Sequence, residues 1–172
     1  MSFFKRTLHS LCLFGVAAIA TQSLGSPALA QFSNRSRLTV KATGVRNGQG
    51  QICFSLYNRS EGFPNDPDAI IEKQCVAAMA PIDAEALPEG SQSVESAPVV
   101  TFENLDRGTY AVSVLHDENE DSEINTGAFG IPSEGFGFSR NPTVQMGAPK
   151  FHEAAVVVVG PNATMQINLI YF

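Results

Sequence analysis

Residues 37–58 read "RLTVKATGVRNGQGQICFSLYN", and this stretch decides the fold class. Apolar and polar residues alternate with a period of two on both sides of the turn signal "NGQG" at 47–50. Such alternation is typical of strands that bury one face, and an Asn-Gly pair is typical of tight turns. The apolar positions that share a face are Leu38, Val40 and Ala42, and then Ile52, Phe54 and Leu56. The stretch therefore predicts two strands joined as a β-hairpin.

Similar segments follow along the chain. Residues 98–105, 108–116 and 164–172 show strand patterns, 154–160 is a buried-type strand, and 69–82 fits a strand or a short helix. Residues 83–98 are rich in Glu, Ser and Pro and predict a loop, and residues 117–153 predict a long irregular excursion. We expect an all-β fold, an antiparallel β-sandwich of about seven strands with a long irregular loop between the last strands.

The first thirty residues have the pattern of an export signal. Lys5 and Arg6 precede an apolar run at 11–20, and Ala28-Leu29-Ala30 forms a small-residue cleavage site. The run is too short for a transmembrane helix, and the mature chain holds no second candidate. We therefore expect residues 1–30 to be a signal peptide. Residues 31–172 are then one periplasmic or secreted domain.

Charge and cysteine content narrow the function classes. Without its leader the chain keeps nine basic and seventeen acidic residues, a net charge of −8. This balance argues against nucleic acid and against anionic membrane surfaces. The two cysteines that remain, Cys53 and Cys75, predict one structural disulfide in an oxidising compartment.

The stretch "HDENEDSEINTGAFGIP", residues 116–132, holds five carboxylates within seven positions. Its first half matches the oxygen-ligand spacing of an EF-hand loop, but Ala128 stands where the bidentate glutamate belongs and Ser122 where glycine belongs. The candidate ligands of a weak Ca²⁺ site are Asp117, Asn119, Asp121, Glu123 and Asn125. The alternative is a solvated tip between strands, which needs no ion.

Two histidines suggest a different chemistry. His116 precedes the acidic stretch and His152 follows the excursion, so His116, Asp117 and His152 would form a transition-metal site if the fold assembled them. A metal-dependent enzyme or metal carrier is therefore the competing function. The sequence contains no G-x-S-x-G, HExxH or phosphate-loop motif, and we expect no enzymatic activity.

The Gly-rich segment "GFGFSRNP" at 135–142 carries two phenylalanines. If exposed, they would belong to a recognition surface for a protein, peptide or glycan. If buried, they would form a satellite core beneath the excursion. The candidate binding-surface residues are His116, Phe136, Phe138, Asn141 and His152.

Three blocks carry a resemblance to a known family: "LTVKATGVRNGQGQICFSLYNRSEGFP", "FENLDRGTYAVSVLHDENEDSEINTGAFGIPSEGFGFSRNP" and "MGAPKFHEAAVVV". In this order they resemble the bacterial exported proteins known as domain of unknown function 2141. The resemblance implies a small β-sandwich, similar to transthyretin-like or Cna-B-like modules, and it implies no established activity. We expect an exported, non-enzymatic module that acts in binding or in envelope structure.

Overall fold

The computed structural model of the protein describes residues 35–78, 97–144 and 147–172. The predicted signal peptide at 1–30 lies outside the described residues, as do positions 79–82 and most of the loop predicted at 83–98. The described strands, in chain order, are β1 (Ser36–Thr43), β2 (Gln51–Tyr57), β3 (Glu72–Ala77), β4 (Val99–Leu105), β5 (Gly108–Asp117), β6 (Gly135–Phe138), β7 (Val156–Val158) and β8 (Asn162–Asn168). One helical turn, α1 (Phe151–Ala154), and 3-10 turns at Pro67–Ala69 and Ala128–Gly130 complete the secondary structure.

The smaller sheet has the order β4-β1-β8. Strand β1 lies in its centre, antiparallel to β4 and parallel to β8. The larger sheet has the order β3-β2-β5-β6, with β7 paired to the first residues of β5. Strand β5 is the longest and carries partners along its whole length, so it organises this sheet.

The main core fills the space between the two sheets. It takes alternate residues of each strand, as expected for sheets packed face to face. Its fully buried members include Leu38, Val40, Phe102 and Ile167 from the smaller sheet, and Ile52, Phe54, Leu56 and Val112 from the larger one. The alternation predicted for β1, β2 and β5 is therefore confirmed.

The all-β sandwich is confirmed, whereas the predicted hairpin between the first two strands is wrong. Strand β1 belongs to the smaller sheet and β2 to the larger one, so the turn at 47–50 carries the chain across the sandwich. Both edges of β1 are taken by β4 and β8, which leaves no edge for β2. A turn signal shows where the chain reverses, and long-range pairing decides which strands bond.

Two further details differ from the sequence expectations, and a third decides between two alternatives. The described residues form eight strands, one of them parallel to its neighbour, because β8 returns alongside β1. The excursion contains β6 and α1, so it is less irregular than expected. Within the ambiguous segment at 69–82, residues 72–77 form strand β3, which is the strand alternative of the prediction.

Strand β7 is less buried than its run of valines predicts. Val158 faces the core, but Val157 points to the opposite face of the sheet and is 69% exposed. No helix within the described ranges is long and apolar enough to cross a membrane.

Candidate functional site

Asp117 ends β5 and organises the acidic loop, residues 117–134. Its side chain is fully buried. One carboxylate oxygen accepts from the backbone N–H of Asp121 (3.1 Å), and the other accepts from the N–H of Ser122 (3.0 Å) and from Gln51 Nε2 (3.0 Å). A buried carboxylate that accepts several N–H bonds fixes the backbone around it. Asp117 therefore folds the first turn of the loop.

Glu134 fixes the backbone at the other end of the loop in the same way. It is buried, and its two oxygens accept from the backbone N–H of Glu118 (3.0 Å) and of Asn125 (2.9 Å). Ser133 adds a backbone bond and a hydroxyl bond to the carbonyl of Asn125. The loop is thus closed across its base by buried carboxylate contacts.

Arg46 lies in the connection after β1 and contacts residues near both ends of the acidic loop. Its guanidinium forms a two-pronged pair with Glu118 (2.7 and 3.0 Å) and donates to the carbonyl of Ser133 (2.9 Å). It also stacks 4.6 Å from the ring centroid of Tyr171. The hydrogen bonds from Arg46 lower the pKa of the Glu118 carboxyl, and the same pair raises the pKa of Arg46.

Three of the predicted Ca²⁺ ligands meet at the surface of the loop. Asp121 Oδ2 accepts from the side-chain amides of Asn119 (2.8 Å) and Asn125 (2.9 Å), and those two amides contact each other at 2.9 Å. The bonds from Asn125, from the Glu123 backbone and from Asn119 lower the pKa of Asp121. The side chains of Asp117 and Glu123 take different roles, since Asp117 is buried in the loop base and Glu123 lies on its exposed side.

The tip of the acidic loop is apolar. Phe129 is fully exposed in a left-handed backbone conformation, and Ile131, two residues later, is about half exposed. The loop returns through a bridge between Thr126 and Pro132. The acidic stretch is therefore a defined projection from the sheet.

His116 is fully buried, and both ring nitrogens are engaged. Nε2 lies 2.9 Å from the carbonyl of Gln49, and Nδ1 lies 2.8 Å from the hydroxyl of Tyr171. Because a carbonyl only accepts, Nε2 carries a hydrogen, and in the neutral ring Nδ1 accepts from Tyr171. His116 thus joins the turn before β2 to the end of the chain.

The remaining candidate residues lie elsewhere. His152 is exposed on α1, where its backbone carbonyl accepts from Arg140 (3.3 Å), and it lines a cleft with Phe63 and Lys150. Asn141 holds β8 through bonds to the backbone of Gln166 and Asn168. Within the described ranges, no three His, Cys, Asp or Glu side chains form a group able to hold a metal ion, so the fold does not assemble His116, Asp117 and His152.

A groove of about 520 Å³ lies on the outer face of the larger sheet. Residues 64–70 form one wall and residues 122–124 of the acidic loop form the other. We call it the outer-face groove; its floor comprises Cys53, Ser55, Ser113, Leu115, Phe136 and Phe138. The Cys53–Cys75 disulfide predicted from the sequence joins paired residues of β2 and β3 at this floor.

The phenylalanines of the floor belong to a second buried cluster. Phe136 and Phe138 are each 7% exposed, and they pack with Ala111 and Ala154. Phe63 lies edge-on to Phe138, with 6.0 Å between ring centroids. The aromatic rings are therefore held by packing, and they line the groove with a fixed apolar surface.

Both walls are anchored to the sheet. Tyr57 donates its hydroxyl to the carbonyl of Pro64 (2.8 Å), and burial raises the pKa of this phenol. The backbone of Ile71 donates to Leu56 (2.9 Å) and closes that wall at its far end. The opposite wall rests on the buried contacts of Asp117 and Glu134. The acidic stretch thus contributes to a site chiefly as one side of a groove.

Sequence reasoning missed several residues of this region. Arg46, Glu134 and Tyr171 lie far apart in the chain, and nothing in a single sequence indicates that they meet. Only Ser55 and Ser113 could have been noticed in the sequence. Each is a small polar residue that alternates with apolar residues in its strand, which places it on the outward face. Knowledge of the pairing of β2 with β5 is needed to bring them together.

The comparisons with known proteins agree with the resemblance in the sequence. The family model of uncharacterised proteins conserved in bacteria, domain of unknown function 2141, matches residues 40–166. No curated protein and no solved structure matches the chain significantly. The match covers both sheets, the acidic loop and the outer-face groove, and the chain belongs to this bacterial family.

Proposed function

We propose that the protein is an exported, non-enzymatic binding module that holds a small ligand in the outer-face groove. The observation that carries the proposal is the groove itself, about 520 Å³ with a floor of aromatic, aliphatic and hydroxyl side chains. Ligand sites in proteins are concave, mostly apolar, and supplied with a few polar groups, in volumes of roughly 300 to 1,000 Å³. The groove fits each part of this description.

The groove is also preformed. Its floor consists of paired strands. Its walls are supported by the Tyr57 hydroxyl, which donates to Pro64, and by the buried carboxylates of Asp117 and Glu134, which accept from backbone N–H groups. A preformed site loses little conformational entropy when a ligand enters. Phe136 and Phe138 are buried as a satellite core, so they support the floor mainly by packing. Outer faces of sandwiches are usually solvated and polar, whereas half-buried Leu115 and parts of these two rings line the groove, and this apolar lining supports a binding role.

Export is the second part of the proposal. Residues 1–30 have the charge, apolar run and cleavage-site pattern of a leader, and disulfides such as Cys53–Cys75 are typical of proteins in oxidising compartments. In a bacterial host, we expect the protein in the periplasm or medium with a mass that corresponds to cleavage after Ala30. A full-length mass in the cytoplasm would contradict export.

The binding role is testable with amide NMR. Titration with a library of small soluble fragments should shift signals of floor residues such as Ser55, Ser113 and Leu115. Ser113→Phe fills the groove and should abolish these shifts. Thr164→Phe adds the same ring at an exposed position of β8 in the other sheet, and it should leave them intact. The spectra of both variants without fragments report whether each is folded.

Two results would overturn the proposed site. One is that no fragment shifts the floor residues at millimolar concentration. The other is that Ser113→Phe binds the fragments as well as the unchanged protein does. Shifts confined to the cleft beside His152 would move the site to that cleft.

A second candidate function is weak Ca²⁺ binding by the acidic loop, with an affinity of about 10⁻⁴ to 10⁻³ M. It is supported by the convergence of Asn119, Asp121 and Asn125 within 2.8–2.9 Å of one another. A half-turn of each amide would replace its nitrogen with its oxygen, so that carboxylate and carbonyl oxygens would face one point. Glu123 and water would supply further oxygens.

Calorimetry tests the Ca²⁺ candidate. Millimolar Ca²⁺ should release or absorb heat with the unchanged protein and with Glu120→Gln, which alters an exposed carboxylate of the same loop. Asp121→Asn should lose the signal, because it removes the only charge at the convergence point. Absence of heat and of a melting shift in the unchanged protein would end this candidate.

A further inference from the structure

The register of the larger sheet places a row of polar side chains across the groove. Lys73 of β3 pairs with Ser55 of β2, Ser55 pairs with Ser113 of β5, and Ser113 pairs with Phe138 of β6. Directly paired residues point to the same face of a sheet and lie about 5 Å apart. One ammonium and two hydroxyls therefore follow one another across the floor and end at an aromatic ring.

The neighbouring row is apolar. The disulfide of Cys75 and Cys53 is followed by Leu115 and then by Phe136. Residues two positions apart on a strand lie about 7 Å from each other. A small organic molecule could therefore place an anionic group at the polar row and an apolar group on the neighbouring row.

Lys73 has no carboxylate partner among the residues that the structure describes. Its neighbour Glu72 instead accepts from Gln74 Nε2 at 2.7 Å. Lys73 is also the single cation among the described lining residues of the groove. The hydroxyls of Ser55 and Ser113 also hydrogen-bond to the Tyr57 hydroxyl, so they must turn from it to join the Lys73 ammonium as donors to one anionic group.

The opposite wall limits the charge of that anion. Glu123 of the acidic loop lines the groove, so the lining carries one positive and one negative side chain. A second negative charge on the ligand would face Glu123 without a second cation to balance it. The groove is therefore better matched to a monoanion than to a phosphate monoester, which carries nearly two charges at neutral pH.

We propose that the ligand is a small organic monocarboxylate with an apolar body, an inference that rests on the proposed binding role of the groove. The carboxylate pairs with Lys73 and accepts from Ser55 and Ser113. The apolar body covers Leu115, Phe136 and Phe138. Glu123 disfavours dianions of the same shape.

Phenylpropionate is a suitable probe, because it joins one carboxylate to one ring. With eleven heavy atoms it should bind with a dissociation constant on the order of 1 mM. Its neutral analogue phenylpropanol should bind about two- to fivefold more weakly, the range expected for one exposed charge pair. Phenylpropyl phosphate should also bind more weakly than the carboxylate.

Three variants complete the test, with amide NMR titration as the readout. Lys73→Met keeps the aliphatic stem, and it should weaken phenylpropionate about two- to fivefold while leaving phenylpropanol unchanged. Arg107→Met removes an exposed charge in the turn between β4 and β5, and it should change neither. Glu123→Gln should strengthen the phosphate probe more than the carboxylate.

Each outcome separates the two proposals. If Lys73→Met keeps its fold but no longer prefers phenylpropionate over phenylpropanol, the carboxylate inference is supported. Equal binding of phenylpropanol and phenylpropionate overturns that inference and leaves the groove as a binding site. Preference for the phosphate probe also overturns it. No shift at the floor with any probe overturns both the inference and the proposed function.

Discussion

At the scale of single residues, the carboxylates of the acidic loop have distinct tasks. Asp117 and Glu134 are buried and satisfy backbone N–H groups, whereas Glu118 pairs with Arg46. Glu120 is exposed and occupies a left-handed turn position. Repulsion between the carboxylates is therefore small, because the buried ones accept from N–H groups and the others are paired with Arg46 or solvated.

Asp117→Asn should destabilise the protein by about 1 to 3 kcal/mol. The amide presents its N–H₂ group to backbone donors that now meet a carboxylate oxygen, so at least one buried N–H loses its acceptor. Urea unfolding followed by circular dichroism measures this loss. Glu120→Gln is the matched control, and its stability should stay within about 0.5 kcal/mol of the original. Equal effects of the two changes would contradict the structural role of Asp117.

Arg46 should make stability depend on acid pH. Its hydrogen bonds hold the pKa of Glu118 below the ordinary value of 4.5, so the folded state binds fewer protons than the unfolded state. This contribution is fully present above pH 4.5 and is lost as the pH falls through the lowered pKa of Glu118. Arg46→Met should therefore cost about 1 kcal/mol at neutral pH and less in acid.

Urea unfolding of both proteins between neutral and strongly acid pH checks this dependence. The two stability curves should approach each other at the acid end, where the contacts of Arg46 with Ser133 and Tyr171 remain. Arg107→Met controls for the loss of one positive charge, because Arg107 lies in an exposed turn away from the loop. A constant difference between the Arg46→Met curve and the original across the pH range would show that the pair with Glu118 is not its source.

At the scale of elements, the disulfide joins β3 to β2 at the groove floor. The two cysteines are 22 residues apart. In the chain-entropy model, closing a loop of this length stabilises a protein by about 3 kcal/mol. Replacement of both cysteines by alanine should lower the free energy of unfolding by about that amount. Chemical reduction of the original protein should give the same value, and a loss below about 1 kcal/mol would contradict a stabilising role.

Strand β6 depends on its glycines. A Cβ atom at Gly137 would lie 2.7 Å from Ile167 Cγ2 and 2.8 Å from the carbonyl oxygen of Asn168, and one at Gly135 would meet the ring of Tyr171. Gly137→Ala should therefore cost at least about 2 kcal/mol through overpacking. Gly127→Ala, where the nearest atom lies 3.8 Å away, is the control and should be nearly neutral. Thermal unfolding measures both, and similar melting temperatures would contradict the close approach of β6 to β8.

These glycines also explain what the sequence could and could not reveal. The alternation in β1, β2 and β5 predicted the core, because burial of one face leaves a period-two pattern. Strand β6 was not predicted because glycine disfavours strands locally. Glycine is needed at position 137 because the strand packs closely against Ile167 and Asn168, about thirty positions later. The assignment of β1 and β2 to different sheets depends on long-range pairing that local pattern does not encode.

At the scale of the whole molecule, the fold forms a groove on the outer face of the larger sheet. The acidic loop and residues 64–70 rise on either side of a floor built from β2, β5 and β6. The sequence identified both the acidic stretch and the phenylalanines, yet it could not place them on one groove. Their relation arises from the register Ser113–Phe138 and Leu115–Phe136 and from the return of the loop to Glu134.

The central claim is that this groove holds a ligand, and a crystal structure of the protein grown with saturating phenylpropionate tests it most directly. The account predicts electron density for the ring over Leu115, Phe136 and Phe138, with the carboxylate within hydrogen-bonding distance of Lys73. Density at another surface, or an empty groove at saturating probe, would contradict the account.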